Sequence, residues 1–127
     1  MSKRGARLTR PVPADEWELV AITTEAARGW AQLEATEPAA LARAYDQLTH
    51  DPTHHSGRQH RMKGQYATGT YEGRTFERWQ YEVSGASRIW YFVDMPGPAA
   101  ARRGKGPRLR KRVLVEMVSV GHPKGTE

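Results

Sequence analysis

The chain alternates between two hydrophobic periods, and the switch from one to the other divides it in half. Trp17-Glu18-Leu19-Val20-Ala21-Ile22 is a short apolar run that predicts a strand, bounded by Thr23-Thr24. Either threonine can cap a following helix, and Glu25 suits its first turn. Ala26, Trp30 and Leu33 then fall at helical spacing. Gly29 lies inside this predicted helix, where it costs about 1 kcal/mol relative to Ala. Pro38 fits the first turn of a second helix. There Leu41, Ala44, Tyr45 and Leu48 form an i, i+3, i+4, i+7 stripe. Asp51-Pro52 ends it, so the two helices are expected to form an αα-hairpin with its turn near Glu37.

Beyond residue 64 the period becomes two. Gln65 to Tyr71 predicts a strand, and Glu72-Gly73 is a hairpin-turn signal. Trp79, Tyr81 and Val83 alternate with Arg78, Gln80 and Glu82, as a half-buried strand requires. After Ser84-Gly85-Ala86, Ile89, Tyr91 and Val93 alternate with Arg88, Trp90 and Phe92. Val113 to Val120 is apolar on both faces except at Glu116, which predicts a central strand. The order is β-α-α-β-β-β-β. Strands bunched after helices give an α+β fold, with an N-terminal strand, an αα-hairpin, and a mainly antiparallel four- to five-stranded sheet. The helices cover one sheet face and leave the other for a partner or substrate. Residues 1–13, with Pro11 and Pro13, read as a disordered basic arm. Residues 14–127 read as a single domain carrying a flexible basic loop at 95–111, rich in Pro, Gly and Arg.

Composition narrows the function classes. With 127 residues and 38% hydrophobic residues, the chain can build one modest core. It has no apolar run long enough to span a bilayer and no secretory h-region. The absence of cysteine excludes a disulfide scaffold, a thiol nucleophile and a Cys-ligated zinc, and agrees with a cytoplasmic location. Charge is more informative by place than by total. The net charge is +6, yet residues 1–10 carry Lys3, Arg4, Arg7 and Arg10 without an acid. Residues 97–112 carry Arg102, Arg103, Lys105, Arg108, Arg110, Lys111 and Arg112 without an acid. The rest of the chain is therefore mildly acidic, and the two basic segments point to a polyanion, foremost nucleic acid.

Common catalytic signatures are absent: no phosphate-binding glycine loop, no H-E-x-x-H and no G-x-S-x-G. His50, His54, His55 and His60 lack the helical or carboxylate context of a metal site. The element that stands out is Arg58-Gln59-His60-Arg61-Met62-Lys63-Gly64. Alternation places Arg58, His60 and Met62 on one face and Gln59, Arg61 and Lys63 on the other. Both faces offer phosphate donors, and His60 offers a group that gains or loses a proton near neutral pH. Arg88 on its strand is a candidate phosphate ligand or ion-pair partner of Glu82. His122 and Lys124 follow the last strand.

In combination these pieces resemble the RelE/ParE toxin superfamily, in its RelE-like branch, over about residues 16–124. Three motifs carry the resemblance, in order. His60-Arg61-Met62-Lys63-Gly64 is similar to the family's R-L-K-G. Arg88-Ile89-Trp90-Tyr91-Phe92-Val93-Asp94 is similar to its Y-R-[IV]-x-Y-x-[IV]-D. Val118-Ser119-Val120-Gly121-His122-Pro123-Lys124 is similar to its closing V-G-H-R-[KD]. The resemblance implies a toxin of a type II toxin–antitoxin pair, with a cognate antitoxin as partner. RelE-like members enter the ribosomal A site and cut mRNA without metal or cofactor, the 2′-hydroxyl attacking the adjacent phosphate. ParE-like relatives instead poison DNA gyrase, and a non-catalytic nucleic-acid- or ribosome-binding module on the same fold is the alternative reading. Carried over, Arg88 holds the scissile phosphate, Arg61 and Lys63 supply the basic element, and His122 and Lys124 stand at the strand end where an acid or base is expected. His60 adds a proton-transfer group, and Arg58 a further phosphate donor. Arg102, Arg103 and Arg108 in the long loop anchor the phosphate backbone. A small-molecule ligand and a membrane are not expected. The chain departs from the family where a Lys/Arg pair is replaced by Gln80 and Glu82. It also lacks a C-terminal Tyr, and its 95–111 loop replaces a tight turn.

Overall fold

A computed structural model describes residues 16–95 and 111–121 of the chain; the basic arm and most of the 95–111 loop lie outside them. Strand β1 (Glu18–Ala21) leads into α1 (Thr24–Thr36) and α2 (Pro38–His50), followed by the short strand β2 (Gln59–Arg61). A 3₁₀ turn over Gly64–Tyr66 precedes β3 (Thr68–Tyr71), β4 (Arg74–Glu82), β5 (Arg88–Asp94) and β6 (Arg112–Ser119). The sheet runs β1-β6-β5-β4-β2, with β3 also on β4. Only β1 and β6 are parallel; every other pair is antiparallel. The fold is therefore α+β, as the sequence pattern requires.

Local chemistry explains most boundaries. Thr23 caps α1 by accepting from the Ala26 N–H at 2.9 Å. Pro38 starts α2, and Asp51 ends it. Glu72 and Gly73 both have positive φ, 52° and 77°, the pairing a type I′ hairpin turn demands. Two expectations change. The segment Gln65–Tyr71 does not form one strand: Gly64, at φ 66°, turns the chain into the 3₁₀ turn, and pairing with β4 starts only at Thr68. The polar stretch before it contains β2, an edge strand too short and too exposed to show a period. Among the described residues the sheet consequently has six strands, where four or five were expected.

The core lies between the helices and one sheet face. Ala26 and Leu33 of α1 and Leu41, Ala44 and Leu48 of α2 pack on Trp79, Tyr81, Val83, Ile89, Tyr91, Val113, Val115 and Val118. Tyr45, the fourth member of the predicted α2 stripe, sits at the rim instead, edge-on to Trp30. Gly29 is buried because α1 crosses β6 there. A Cβ at this position would collide with the Val118 carbonyl oxygen and stand 2.7 Å from the Val118 Cβ. The glycine that helix propensity disfavours is what lets helix and sheet approach.

β6 holds an irregularity with consequences on the other face. Trp90 pairs with Met117 but Tyr91 with Val115, so Glu116 is the extra residue of a β-bulge. The bulge keeps Val113, Val115 and Val118 all on the core side and sends the Glu116 carboxylate to the opposite face.

Candidate functional site

The register arranges the helix-free face into rows. His60 opposes Gln80, which opposes Trp90, which opposes Met117. The next row contains Glu82, Arg88 and Ser119, and Arg58 adjoins it through the bond from the Glu82 N–H to the Arg58 carbonyl. On the other side Arg78 opposes Phe92, which opposes Leu114. Alternation therefore assigns Arg58 and His60 to this face.

At the β2 edge the face opens into a cleft of about 500 Å³ lined by His55, Ser56, His60, Arg61, Met62, Lys63 and Gln80. The edge strand is held from beneath. Gln59 is buried and donates to the Asp51 carbonyl at 3.1 Å and to the Tyr91 hydroxyl at 3.0 Å. Tyr91 in turn donates to the Pro52 carbonyl at 2.7 Å. Burial pushes the Tyr91 phenol well above its ordinary range, so it stays a neutral donor at any physiological pH. His55 packs edge-on against Trp79, and the Ser56 hydroxyl accepts from the Arg58 and Gln59 N–H groups.

Within the cleft His60 Nδ1 lies 3.1 Å from the Arg61 carbonyl oxygen. A carbonyl can only accept, so Nδ1 carries the proton of this bond and Nε2 of a neutral ring keeps its lone pair. Arg61 makes an exposed 3.3 Å ion pair with Glu77, an interaction worth little in water. Lys63 has no ion-pair partner among the described residues. Arg88 donates from Nη1 to the carbonyls of Ser84, Gly85 and Ser87, the shortest at 2.8 Å. That anchors the guanidinium at the β4–β5 turn, and its other two nitrogens have no partner among the described residues. Glu82, its cross-strand neighbour, forms no ion pair with it.

The structure thus brings His60, Arg61 and Lys63 into one cleft and places Arg88 on the same face, in the row next to His60. Arg58 is instead committed to the Glu82 carbonyl at 2.9 Å. His122, Lys124, Arg102, Arg103 and Arg108 lie outside the described residues. The described chain ends at Gly121, whose N–H bonds the buried Ser87 hydroxyl at 3.0 Å, one residue from Arg88. Two members of the basic run have structural roles. Arg112 pairs with Asp94 at 2.8 Å, and Lys111 lies over the Trp17 ring.

Sequence reasoning passed over a second group on this face. Arg78, only 12% exposed at its side chain, forms a two-pronged ion pair with Glu116 at 2.7 and 2.8 Å. It also donates to the carbonyls of Tyr66 and Thr68 and lies over the rings of Trp90 and Phe92. The hydrogen bonds to Glu116 raise its pKa against the opposing effect of burial, so this arginine is a fixed structural cation. The lone acid in an otherwise apolar central strand was the available signal, because a half-buried carboxylate there demands a cation. Among the described residues no three His, Asp or Glu side chains group as a metal site needs, and no helix is long and apolar enough to cross a membrane.

No protein-family model matches the chain, and no curated protein matches it significantly. Among solved structures it is similar to the YoeB/ParE toxin from Agrobacterium tumefaciens, with a TM-score of 0.53 and 17% identity, over 83% of this chain and 99% of that one. The strand order and this structural likeness concern the fold: the chain has the fold of that YoeB/ParE toxin.

Proposed function

We propose that this chain is a RelE-like toxin of a type II toxin–antitoxin system, acting as an endoribonuclease on mRNA and thereby inhibiting translation at the ribosome. The observation that carries the reading is His60: its Nε2 is available as a proton acceptor on the open sheet face, beside Arg61 and Lys63. RNA cleavage by its own 2′-hydroxyl needs three things. A base removes the hydroxyl proton, cations hold the phosphate as charge builds on it, and an acid protonates the departing 5′-oxygen. In this reading His60 is the base. Arg88, pre-aligned by the β4–β5 turn, and Lys63 hold the non-bridging oxygens. His122, the residue after Gly121 in the sequence, supplies the proton. The 2′-oxygen bonds to phosphorus as the P–O5′ bond breaks, leaving a 2′,3′-cyclic phosphate and a 5′-hydroxyl. A cognate antitoxin is the expected protein partner.

Induced expression tests the assignment. His60→Ala and Arg88→Ala are expected to fold, since both side chains stand outside the core, and to lose growth arrest. Single acid–base groups typically supply 10²- to 10⁴-fold. Arrest by both folded variants at the wild-type level overturns it.

One observation favours a second reading, a non-catalytic inhibitor directed at gyrase or the ribosome. The Gln80 amide oxygen is bound to the Trp90 indole N–H at 2.9 Å, so a position where the family carries a basic residue holds a neutral, committed side chain. New RNA ends after induction separate the two readings.

A further inference from the structure

Tyr66 stands on the open face at 45% exposure, although its surroundings are among the most tightly fixed there. Its N–H bonds the Lys63 carbonyl at 3.2 Å, and its carbonyl accepts from Arg78 at 3.1 Å. Arg78 itself is clamped by Glu116. The Tyr66 ring meets Trp90 at 5.4 Å, tilted by 57°. Trp90 cannot turn away, because its indole N–H is bound to Gln80 and Arg78 lies over its ring. Gly69 leaves room for Arg78 to take this position: a Cβ there would strike the Arg78 guanidinium and come within 2.8 Å of the Phe92 ring. The result is a rigid aromatic pair whose outer member keeps much of its surface in water.

An aromatic ring held rigid and left half in water is a surface on which another flat ring can stack. The position defines which one. Gln80, which fixes Trp90, also lines the cleft with His60, Arg61 and Lys63. Lys63 is joined to Tyr66 through one turn of backbone. An aromatic surface one short turn from a cationic cleft matches the repeat of single-stranded nucleic acid, base beside phosphate. We infer that Tyr66, braced by Trp90, is a stacking platform for a nucleobase of single-stranded RNA whose adjoining phosphate sits in the Arg61–Lys63 cleft. The inference rests on the RNA-directed reading above and adds to it a base contact that does not depend on base identity, since every base presents a π-face.

The test uses the full chain and a pair of oligomers of equal length and charge. One is a 2′-O-methyl RNA, which cannot be cut because its nucleophile is blocked; the other is its abasic counterpart. Binding is followed for wild type, Tyr66→Ala and Tyr66→Phe. Wild type is expected to prefer the base-bearing oligomer by roughly 5- to 100-fold. Tyr66→Phe retains the preference, and Tyr66→Ala removes it while still binding the abasic oligomer as wild type does. A preference that survives in Tyr66→Ala overturns the platform and leaves the RNA reading standing, as does equal wild-type binding to both oligomers. Wild type that binds neither oligomer overturns both.

Discussion

At the scale of single residues, the open face separates cations that hold the fold together from cations that remain available. Arg78 and Arg88 look alike in sequence, each on a strand among aromatics, yet their environments differ. Arg78 has bonds from all three guanidinium nitrogens, to Glu116 and to two carbonyls. Arg88 uses one nitrogen to grip a turn. Arg78→Ala is expected to destabilise the protein by about 2–4 kcal/mol, because it strands the half-buried Glu116 carboxylate and uncovers Phe92. Chemical denaturation measures this, and the double change Arg78→Leu with Glu116→Leu is expected to recover most of the loss, since no charge is then left unpaired. Alternation set His60 on one face with Arg58 and Met62, apart from Arg61 and Lys63, but only the pairing of β2 with β4 shows that this is the open face. Alternation could not reveal the bond from Nδ1 to the Arg61 carbonyl that frees Nε2. Nor could it reveal Tyr66, whose exposure is produced by the turn that Gly64 starts.

Among elements, the contacts that join helix to sheet and strand to strand can be tested one at a time. Gly29→Ala would raise helix propensity by about 1 kcal/mol in isolation. Here the added methyl meets Val118 backbone, and overpacking of this kind costs about 1–3 kcal/mol. A lowered Tm is therefore expected, against the direction that propensity predicts. Asp94 joins three strands, accepting from Arg74 of β4 at 2.9 Å and Arg112 of β6 at 2.8 Å. Burial pushes its carboxyl up, but the two arginines outweigh burial and hold it below the ordinary carboxylate range. A carboxyl whose folded pKa is depressed stabilises above the unfolded value, and that stabilisation is lost as pH falls through the folded one. Asp94→Asn is expected to cost about 1–3 kcal/mol at pH 7, and the gap to wild type should close on acidification below about pH 4. A gap constant from pH 7 to pH 3, measured by urea titration, contradicts the ion-pair account. The long elements were legible because burial on one face imposes a period on them. β2 was not, because a three-residue edge strand has too few positions to establish one. The bulge at Glu116 was not, because a single inserted residue changes no pattern until its partner strand is known.

For the whole molecule, the picture is a sheet with one face spent on the core and the other outside it. The positive charge divides in the same way. Lys111 and Arg112, the last two of the basic run, serve Trp17 and Asp94, so the sequence overstated how much of that run is free for phosphate. The fold class and the order of the long elements along the chain followed from helices preceding strands, which physically forces layers. The proposed function rests on short motifs more than on the fold, because a fold does not by itself fix an activity. The central claim is that this face cuts RNA by its own 2′-hydroxyl, with His60 accepting the proton. Mapping and chemically typing RNA ends after induction of wild type and His60→Ala tests it most directly. The account predicts new ends in wild type, with 5′-hydroxyl and 2′,3′-cyclic phosphate termini, reduced at least 100-fold in the variant. Growth arrest by wild type without new RNA ends would contradict it.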